Sequence, residues 1–139
     1  MAELDTPKLV EEITHVRTGP WAVNYYGTCV GGSLAAELKA APTRPNSATY
    51  LTHVTMGIVS DANHIMSDGK LTLIDGSGDE VFGPVQFTAD GQQLFSKDFK
   101  YPLKITDNKA LDLSAACAAG YQASCFVFVE GFTADGPIT

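Results

Sequence analysis

Apolar and polar residues alternate along most of the chain after residue 20, which is the pattern of strands with one buried face. The clearest case is residues 99–106 (FKYPLKIT), in which Phe, Tyr, Leu and Ile alternate with Lys, Pro, Lys and Thr. Residues 124–132 (SCFVFVEGF) are apolar at consecutive positions, which predicts a strand in the middle of a sheet. The pattern predicts strands at 21–25, 33–40, 50–59, 70–74, 81–88, 99–106, 110–113 and 124–132, with a brief extended piece at 64–66.

Some of these segments need a further argument. Residues 33–40 (SLAAELKA) alternate, yet they consist largely of good helix formers; we favour a strand because the flanking segments are strands. Pro84 removes a backbone donor from 81–88, which predicts an edge strand or a bulge. We expect 110–113 to pair with the strand that follows it.

The segment 50–59 has two distinct faces. Simple alternation places Tyr50 and Val54 on one face, together with Met56 and Ile58. Leu51 then shares the other face with His53 and Thr55.

The first 20 residues have a different pattern. Residues 4–16 (LDTPKLVEEITHV) carry helix signals, with Thr6 as N-cap and Pro7 at the first helical position. The segment is too short to be stable alone, so we expect a docked turn of helix or an arm that orders against a partner. Its apolar stripe consists of Leu9, Val10, Ile13 and Val16.

Taken together, the segments predict an all-β chain. Eight or nine short strands with frequent turns are typical of a β-sandwich or barrel. A length of 139 residues suits one domain. We therefore expect an N-terminal arm at 1–20 and a β-sandwich domain at 21–139.

The charge balance excludes several functions. Nine basic and 16 acidic residues give a net charge of −7, the wrong sign for binding nucleic acid or an anionic membrane. No apolar run approaches the roughly 20 residues that a membrane helix needs. The acidic start, MAELD, has no apolar signal region, so we expect folding in a reducing cytoplasm.

The three cysteines, Cys29, Cys117 and Cys125, include no C-x-x-C pair. With the three histidines they do not form the short paired spacings of a zinc site. Cys117 and Cys125 could pair across a hairpin, leaving Cys29 reduced. We favour the alternative that all three are small apolar core residues.

The loop at 75–80 (DGSGDE) places oxygen ligands at alternate positions, as in the first half of a calcium loop. It lacks the glycine after the second Asp, and Gln86 stands where the loop would need a glutamate. Because Asp-Gly between two strands is a strong hairpin signal, we interpret the segment as a turn.

The sequence gives no positive sign of catalysis. There is no G-x-S-x-G motif, and Cys29 has no assigned base, although His15 or His53 could approach it in space. We interpret His53 as a partly buried residue with a hydrogen-bond partner. We therefore expect no enzyme activity and no cofactor.

Carbohydrate binding would require exposed aromatic residues. Trp21 and Tyr25 share a face with Val23, which favours core packing. Tyr26 and Tyr121 lie beside glycines, so we expect them to be exposed at loop tips.

Five segments, taken in order, form one pattern of strands and turns: 50–57 (YLTHVTMG), 71–77 (LTLIDGS), 99–106 (FKYPLKIT), 108–111 (NKAL) and 127–132 (VFVEGF). This pattern resembles that of small β-sandwich structural proteins of tailed bacteriophages. The resemblance implies a jelly-roll-like domain, often a trimer, used as a head decoration (cement) protein, a fibre or a tail module. No functional residue is carried over, because the matching positions are core and turn positions.

The leading hypothesis is therefore a virion component that caps the capsid surface and is assembled in the host cytoplasm. In this hypothesis the stripe of Leu9, Val10, Ile13 and Val16 is buried against a neighbouring subunit or the major capsid protein. The alternative is a tail or fibre module that binds a host receptor or glycan. A third hypothesis, a small hydrolase or metal-dependent enzyme, rests on fold analogy alone.

Overall fold

The computed structural model describes residues 16–30, 33–60, 69–87, 92–116 and 122–135. These residues form eight strands and no helix, so the all-β prediction is confirmed, and none of them could cross a membrane as an apolar helix. The strands are β1 (Val16–Val30), β2 (Ser33–Lys39), β3 (Ala48–Ser60), β4 (Gly69–Asp75), β5 (Glu80–Phe87), β6 (Gln92–Lys104), β7 (Leu111–Ala116) and β8 (Gln122–Asp135).

All neighbouring strands are antiparallel, in the order β5-β4-β7-β2-β1-β8-β3-β6. The only described pair that joins β2 to β1 is Val30 with Ser33, so the strand order divides at this point into two four-stranded sheets. One sheet is β5-β4-β7-β2 and the other is β1-β8-β3-β6. Two four-stranded antiparallel sheets in this order form a jelly roll, as the resemblance implied.

The core lies between the two sheets and is made of alternate residues from each. β3 and β8 contribute Val54, Met56, Val127 and Val129, while β4 and β7 contribute Leu71, Leu73, Leu111 and Leu113. All eight side chains are almost completely inaccessible to water. Their burial supplies most of the stabilisation, because it removes large aliphatic groups from water.

The strand neighbours test the predictions for β5, β7 and β8. β8 pairs with β1 on one side and β3 on the other, which confirms the central position predicted from its apolar sequence. β5 is an edge strand with a register shift on either side of Phe82, and Pro84 lies within the shift between Phe82 and Val85, which confirms the edge strand predicted from Pro84. The prediction for β7 was wrong: it pairs with β2 and β4, because β7 and β8 belong to different sheets.

A β-bulge changes the faces of β3. The register shifts between Leu51 and His53, so Thr52 is an extra residue in the strand. Leu51 is therefore buried in the core with Val54, whereas Tyr50 occupies an outward position. Simple alternation was wrong at residues 50 and 51, because a bulge exchanges the faces on either side of it.

The first strand begins earlier than the sequence indicated. Residues 16–20 belong to β1 and pair with the last residues of β8, and Val16 lies opposite Asp135. Val16 was predicted to be the last residue of the helical segment, but it is extended because it is paired with β8. Leu9, Val10 and Ile13 lie outside the described residues, as do His15, residues 64–66, Cys117 and Tyr121.

Candidate functional site

The outward-facing side of the β1-β8-β3-β6 sheet carries an unusual set of side chains. Across the middle of this sheet, the register places three neighbouring rows of four residues. We call these twelve residues the outer face. The rows are Ala22, Glu130, His53 and Asp98; Asn24, Phe128, Thr55 and Ser96; and Tyr26, Phe126, Gly57 and Leu94.

The third row is apolar from one strand to the next. Tyr26 is 70% exposed and Leu94 is 63% exposed, while Phe126 and Gly57 lie between them. The outer side of a sandwich is ordinarily polar, and isolated apolar residues there are common. A continuous apolar row with Phe128 beside it is instead typical of an interaction surface.

The other two rows contain a hydrogen-bonded cluster around His53. Its Nδ1 lies 2.6 Å from Oδ1 of Asp98, and its Nε2 lies 2.7 Å from Oγ1 of Thr55. The Thr55 hydroxyl is in turn 3.0 Å from the hydroxyl of Ser96. His53 is thus a partly buried, hydrogen-bonded residue, as the sequence analysis predicted, and its ring orientation is fixed from both sides.

A carboxylate, an imidazole and a hydroxyl in series have the order of a hydrolytic triad. Thr55, however, lies inside a strand that pairs with Phe128 on one side and Ser96 on the other. Backbone N–H groups around Thr55 therefore belong to the ladder, whereas an oxyanion needs donors aimed at it. Asp98 is also 89% exposed, so water surrounds the carboxylate. The cluster is better suited to holding the surface in one shape than to nucleophilic attack.

The cysteines do not join this cluster. Cys29 and Cys125 are buried in the core between the sheets, which confirms their interpretation as core residues. Because His53 faces outward, Cys29 and His53 lie on opposite sides of the sheet. The alternative of a disulfide between Cys117 and Cys125 is not tested, because Cys117 lies outside the described residues.

A groove of about 430 Å³ lies next to the first row, at the bulge in β3. Thr52, the extra residue, donates a hydrogen bond from Oγ1 to the backbone oxygen of Glu130 at 3.1 Å. Glu130 thus belongs to both the groove and the outer face. The groove is lined by Gly19, Pro20, Trp21, Thr52, Glu130, Gly131 and Phe132.

The 75–80 segment is a hairpin turn organised by a buried carboxylate. Asp75 is 1% exposed and accepts hydrogen bonds from the Ser77 and Asp79 N–H groups at 2.7 and 3.1 Å. Its second oxygen accepts the Thr106 hydroxyl at 3.0 Å. Burial by itself would raise the pKa of Asp75, but these hydrogen bonds and the charge of Lys109 outweigh it and lower the pKa. The turn interpretation is confirmed.

A pair of carboxylates lies on the β5-β4-β7-β2 sheet, where Glu37 and Asp112 face each other across β2 and β7. Burial, followed by the charges of Glu37 and Asp75, raises the pKa of Asp112. In the described part of the chain, no three Cys, His, Asp or Glu side chains come together as a metal site.

The sequence identified only part of the outer face. Tyr26 is exposed as predicted, but it lies within β1 and not at a loop tip. Leu94 and Asp98 were missed, since 92–98 (QQLFSKD) does not alternate cleanly. The outward positions of Phe126 and Phe128 were available in the pattern, because a strand that is apolar at consecutive positions must place some apolar residues outward.

No protein-family model and no curated protein matches this sequence. Solved structures with a similar fold include a chain of the cyanophage Pam1 capsid asymmetric unit, with 16% identity and a TM-score of 0.51; the match covers 84% of this chain and 86% of that chain. A chain of the acid-stable capsid of Helicobacter pylori bacteriophage KHP30 has 11% identity and a TM-score of 0.46, covering 85% and 90%.

The C-terminal CBM6 of LamC from Zobellia galactanivorans has 9% identity and a TM-score of 0.41, covering 80% of this chain and 98% of that chain. The TM-scores of the CBM6 chain and of the Helicobacter phage chain are below 0.5, so these two matches carry no argument about function. The Pam1 match has the higher TM-score of 0.51 and covers most of both chains. This chain therefore has the same jelly-roll architecture as a chain of the Pam1 capsid.

Proposed function

We propose that this chain is a structural protein of a tailed-bacteriophage virion that binds the head surface as a decoration (cement) protein. The observation that carries the proposal is the match to the Pam1 capsid chain, which covers more than four-fifths of both chains. Two chains that match over such shares are of nearly equal length, so the likeness concerns a whole small domain. The partner is the major capsid protein, and the protein acts as a homotrimer without enzyme activity.

The geometry of the His53 cluster supports a role without catalysis. Its hydroxyl groups lie inside a paired sheet, and its carboxylate is open to water. A site of this kind lacks the water-excluded environment and aimed donors that lower the barrier to acyl transfer. A surface that binds another protein needs neither.

The proposal is tested by measuring the copy number of this chain in purified virus particles relative to that of the major capsid protein. We expect a count comparable with the shell subunit, or a simple fraction of it. A few copies per particle would favour the alternative of a tail or fibre module that binds a receptor or glycan. Complete absence from particles would contradict both.

The predicted N-terminal arm is a second part of the proposal. Leu9, Val10 and Ile13 would be buried against a neighbouring subunit or the capsid, whereas Val16 already belongs to β1. Because β1 begins at Val16, deletion of residues 1–15 leaves every described strand intact. We expect the truncated protein to keep the thermal midpoint of the full chain and to lose binding to empty heads; binding equal to that of the full chain would contradict a role for the arm.

A further inference from the structure

We propose that the outer face is the surface through which the domain contacts the shell. Its partner is a surface of a different protein, with an apolar centre bordered by Lys or Arg side chains. This inference rests on the proposed function and adds to it which side of the sandwich binds and what chemistry it meets.

The exposed apolar side chains of the outer face lie in its third row. Tyr26 and Leu94 are among the most exposed large apolar side chains in the described part of the chain. They stand on β1 and β6, with Phe126 and Gly57 between them on the two middle strands. Neighbouring strands are about 4.8 Å apart, so the row spans roughly 14 Å. Covering it would remove two large, water-exposed groups at once.

The charges of the outer face determine which partner suits it. Glu130 and Asp98 belong to the first row, and no Lys or Arg is present among the twelve residues. Glu130 is exposed, and Asp98 extends largely into water while it holds His53. A partner with cationic side chains around an apolar centre would pair with both carboxylates and increase the association rate.

The same charges disfavour two other occupants. A second copy placed face to face would bring four carboxylates into one interface, in a protein whose net charge is already −7. The N-terminal segment of this chain carries Glu3, Asp5, Glu11 and Glu12 beside its apolar stripe, so it too would be repelled. A basic surface on another protein avoids both conflicts.

The polar part of the surface is already arranged before binding. Asp98 and Thr55 hold the His53 ring from its two nitrogens, and Ser96 holds the Thr55 hydroxyl. Side chains fixed in this way lose little conformational entropy when a partner covers them. The outer face therefore offers an ordered polar border next to an apolar strip.

The test compares an outer-face variant with a matched control. Tyr26→Ser combined with Leu94→Ser removes the exposed apolar groups of the third row. Tyr101→Ser is the control, because Tyr101 is 78% exposed but lies in the part of β6 between residues 98 and 103 where no pairing with β3 is described. Binding is measured by cosedimentation with empty heads made of the major capsid protein encoded with this chain. We expect the double variant to bind at least about tenfold more weakly and the control to bind like the unmodified protein.

A second variant tests the charge. Glu130→Lys should weaken binding by about tenfold at low salt, and the difference should shrink at high salt because ions screen the pairing. Thermal unfolding of every variant shows whether the domain is intact.

The outcomes separate this inference from the function on which it rests. If the unmodified protein binds heads and both outer-face variants bind equally well, the inference is overturned and the function stands. If the unmodified protein does not bind heads, the proposed function is contradicted, and so is the inference that rests on it. If the double variant changes the molecular mass in solution, a second copy covers the face and the inference is overturned.

Discussion

The ring of Phe82 meets the ring of Phe99 edge to face, with centroids 5.3 Å apart and planes at 89°. Phe82 also contacts Phe95, at a centroid distance of 5.8 Å. β5 and β6 are the two ends of the strand order and belong to different sheets. The three rings therefore close one open side of the sandwich.

This cluster leads to the first prediction. Phe82→Ala should lower the free energy of unfolding by about 2 kcal/mol, since it removes a large, partly buried apolar side chain from the ring cluster. A double-mutant cycle with Phe99→Ala, measured by urea unfolding, should give a coupling of about 1 kcal/mol. Strictly additive effects would show that the ring pair contributes nothing beyond burial.

A second prediction concerns Gly131 in β8. A Cβ atom at this position would collide with the backbone oxygen of Tyr50 and would crowd the ring of Trp21. Gly131→Ala should therefore lower the free energy of unfolding by about 3 kcal/mol, because the nearest obstacle is backbone and cannot swing aside. The matched control is Gly76→Ala, whose Cβ would first meet the Ala110 nitrogen at an ordinary 3.4 Å. Equal stability of the two variants would contradict the close packing at the bulge.

The third prediction is that Asp75→Ala destabilises the domain by about 3 kcal/mol at neutral pH. The substitution leaves the Ser77 and Asp79 N–H groups and the Thr106 hydroxyl without their acceptor. Asp75→Asn should cost less, since an amide oxygen still accepts from the backbone. Chemical unfolding at pH 7 compares the three proteins.

The same carboxylate predicts a pH dependence. The pKa of Asp75 is lower in the folded protein than its ordinary value of 3.8, so the unfolded chain takes up the proton first as the pH falls. Asp75 therefore stabilises the fold above that value and loses its contribution as the pH falls below it. Between pH 5 and 3, roughly one pH unit on either side of the ordinary pKa, the free energy of unfolding of Asp75→Asn should fall less than that of the unmodified protein. Parallel curves of unfolding free energy against pH for the two proteins would contradict this prediction.

The fourth prediction concerns Asp112, whose contribution to stability changes with pH in the direction opposite to that of Asp75. Because burial and the charges of Glu37 and Asp75 raise the pKa of Asp112, its ionised form is disfavoured in the folded protein. Stability contributed by Asp112 therefore falls as the pH rises from the ordinary value of 3.8 through the raised one. Asp112→Asn should stabilise the domain by about 0.5 kcal/mol at pH 7, a small effect because solvent screens a partly exposed group.

The measurement for Asp112 is urea unfolding at pH 7 and at pH 3, the second of which lies below the ordinary pKa. We expect the gain of Asp112→Asn at neutral pH and no gain in acid. Glu37→Gln should show the same trend, since it removes the neighbouring charge. A variant that is less stable than the unmodified protein at pH 7 would show that Asp112 has a favourable partner when ionised.

The sequence predicted the features that depend on neighbouring residues along the chain. Alternation predicted most of the strands but missed residues 16–20 of β1 and 92–98 of β6. Pro84 indicated the edge, and consecutive apolar residues in 124–132 indicated the centre of a sheet. The bulge at Thr52 was not predictable in this way, because it arises where β3 pairs with β8, a strand that lies far away along the chain. The outer face was not predictable for the same reason. His53 and Asp98 are 45 residues apart in the sequence and meet only through the register of β3 with β6.

The pairing of Val16 with Asp135 also has a practical consequence. Cα atoms paired across antiparallel strands are about 5 Å apart, so a linker of a few residues could join these two positions and new ends could be opened in a turn elsewhere. A circular permutant of this design would keep all eight strands and would present its ends, and any fused cargo, at a site chosen by the experimenter.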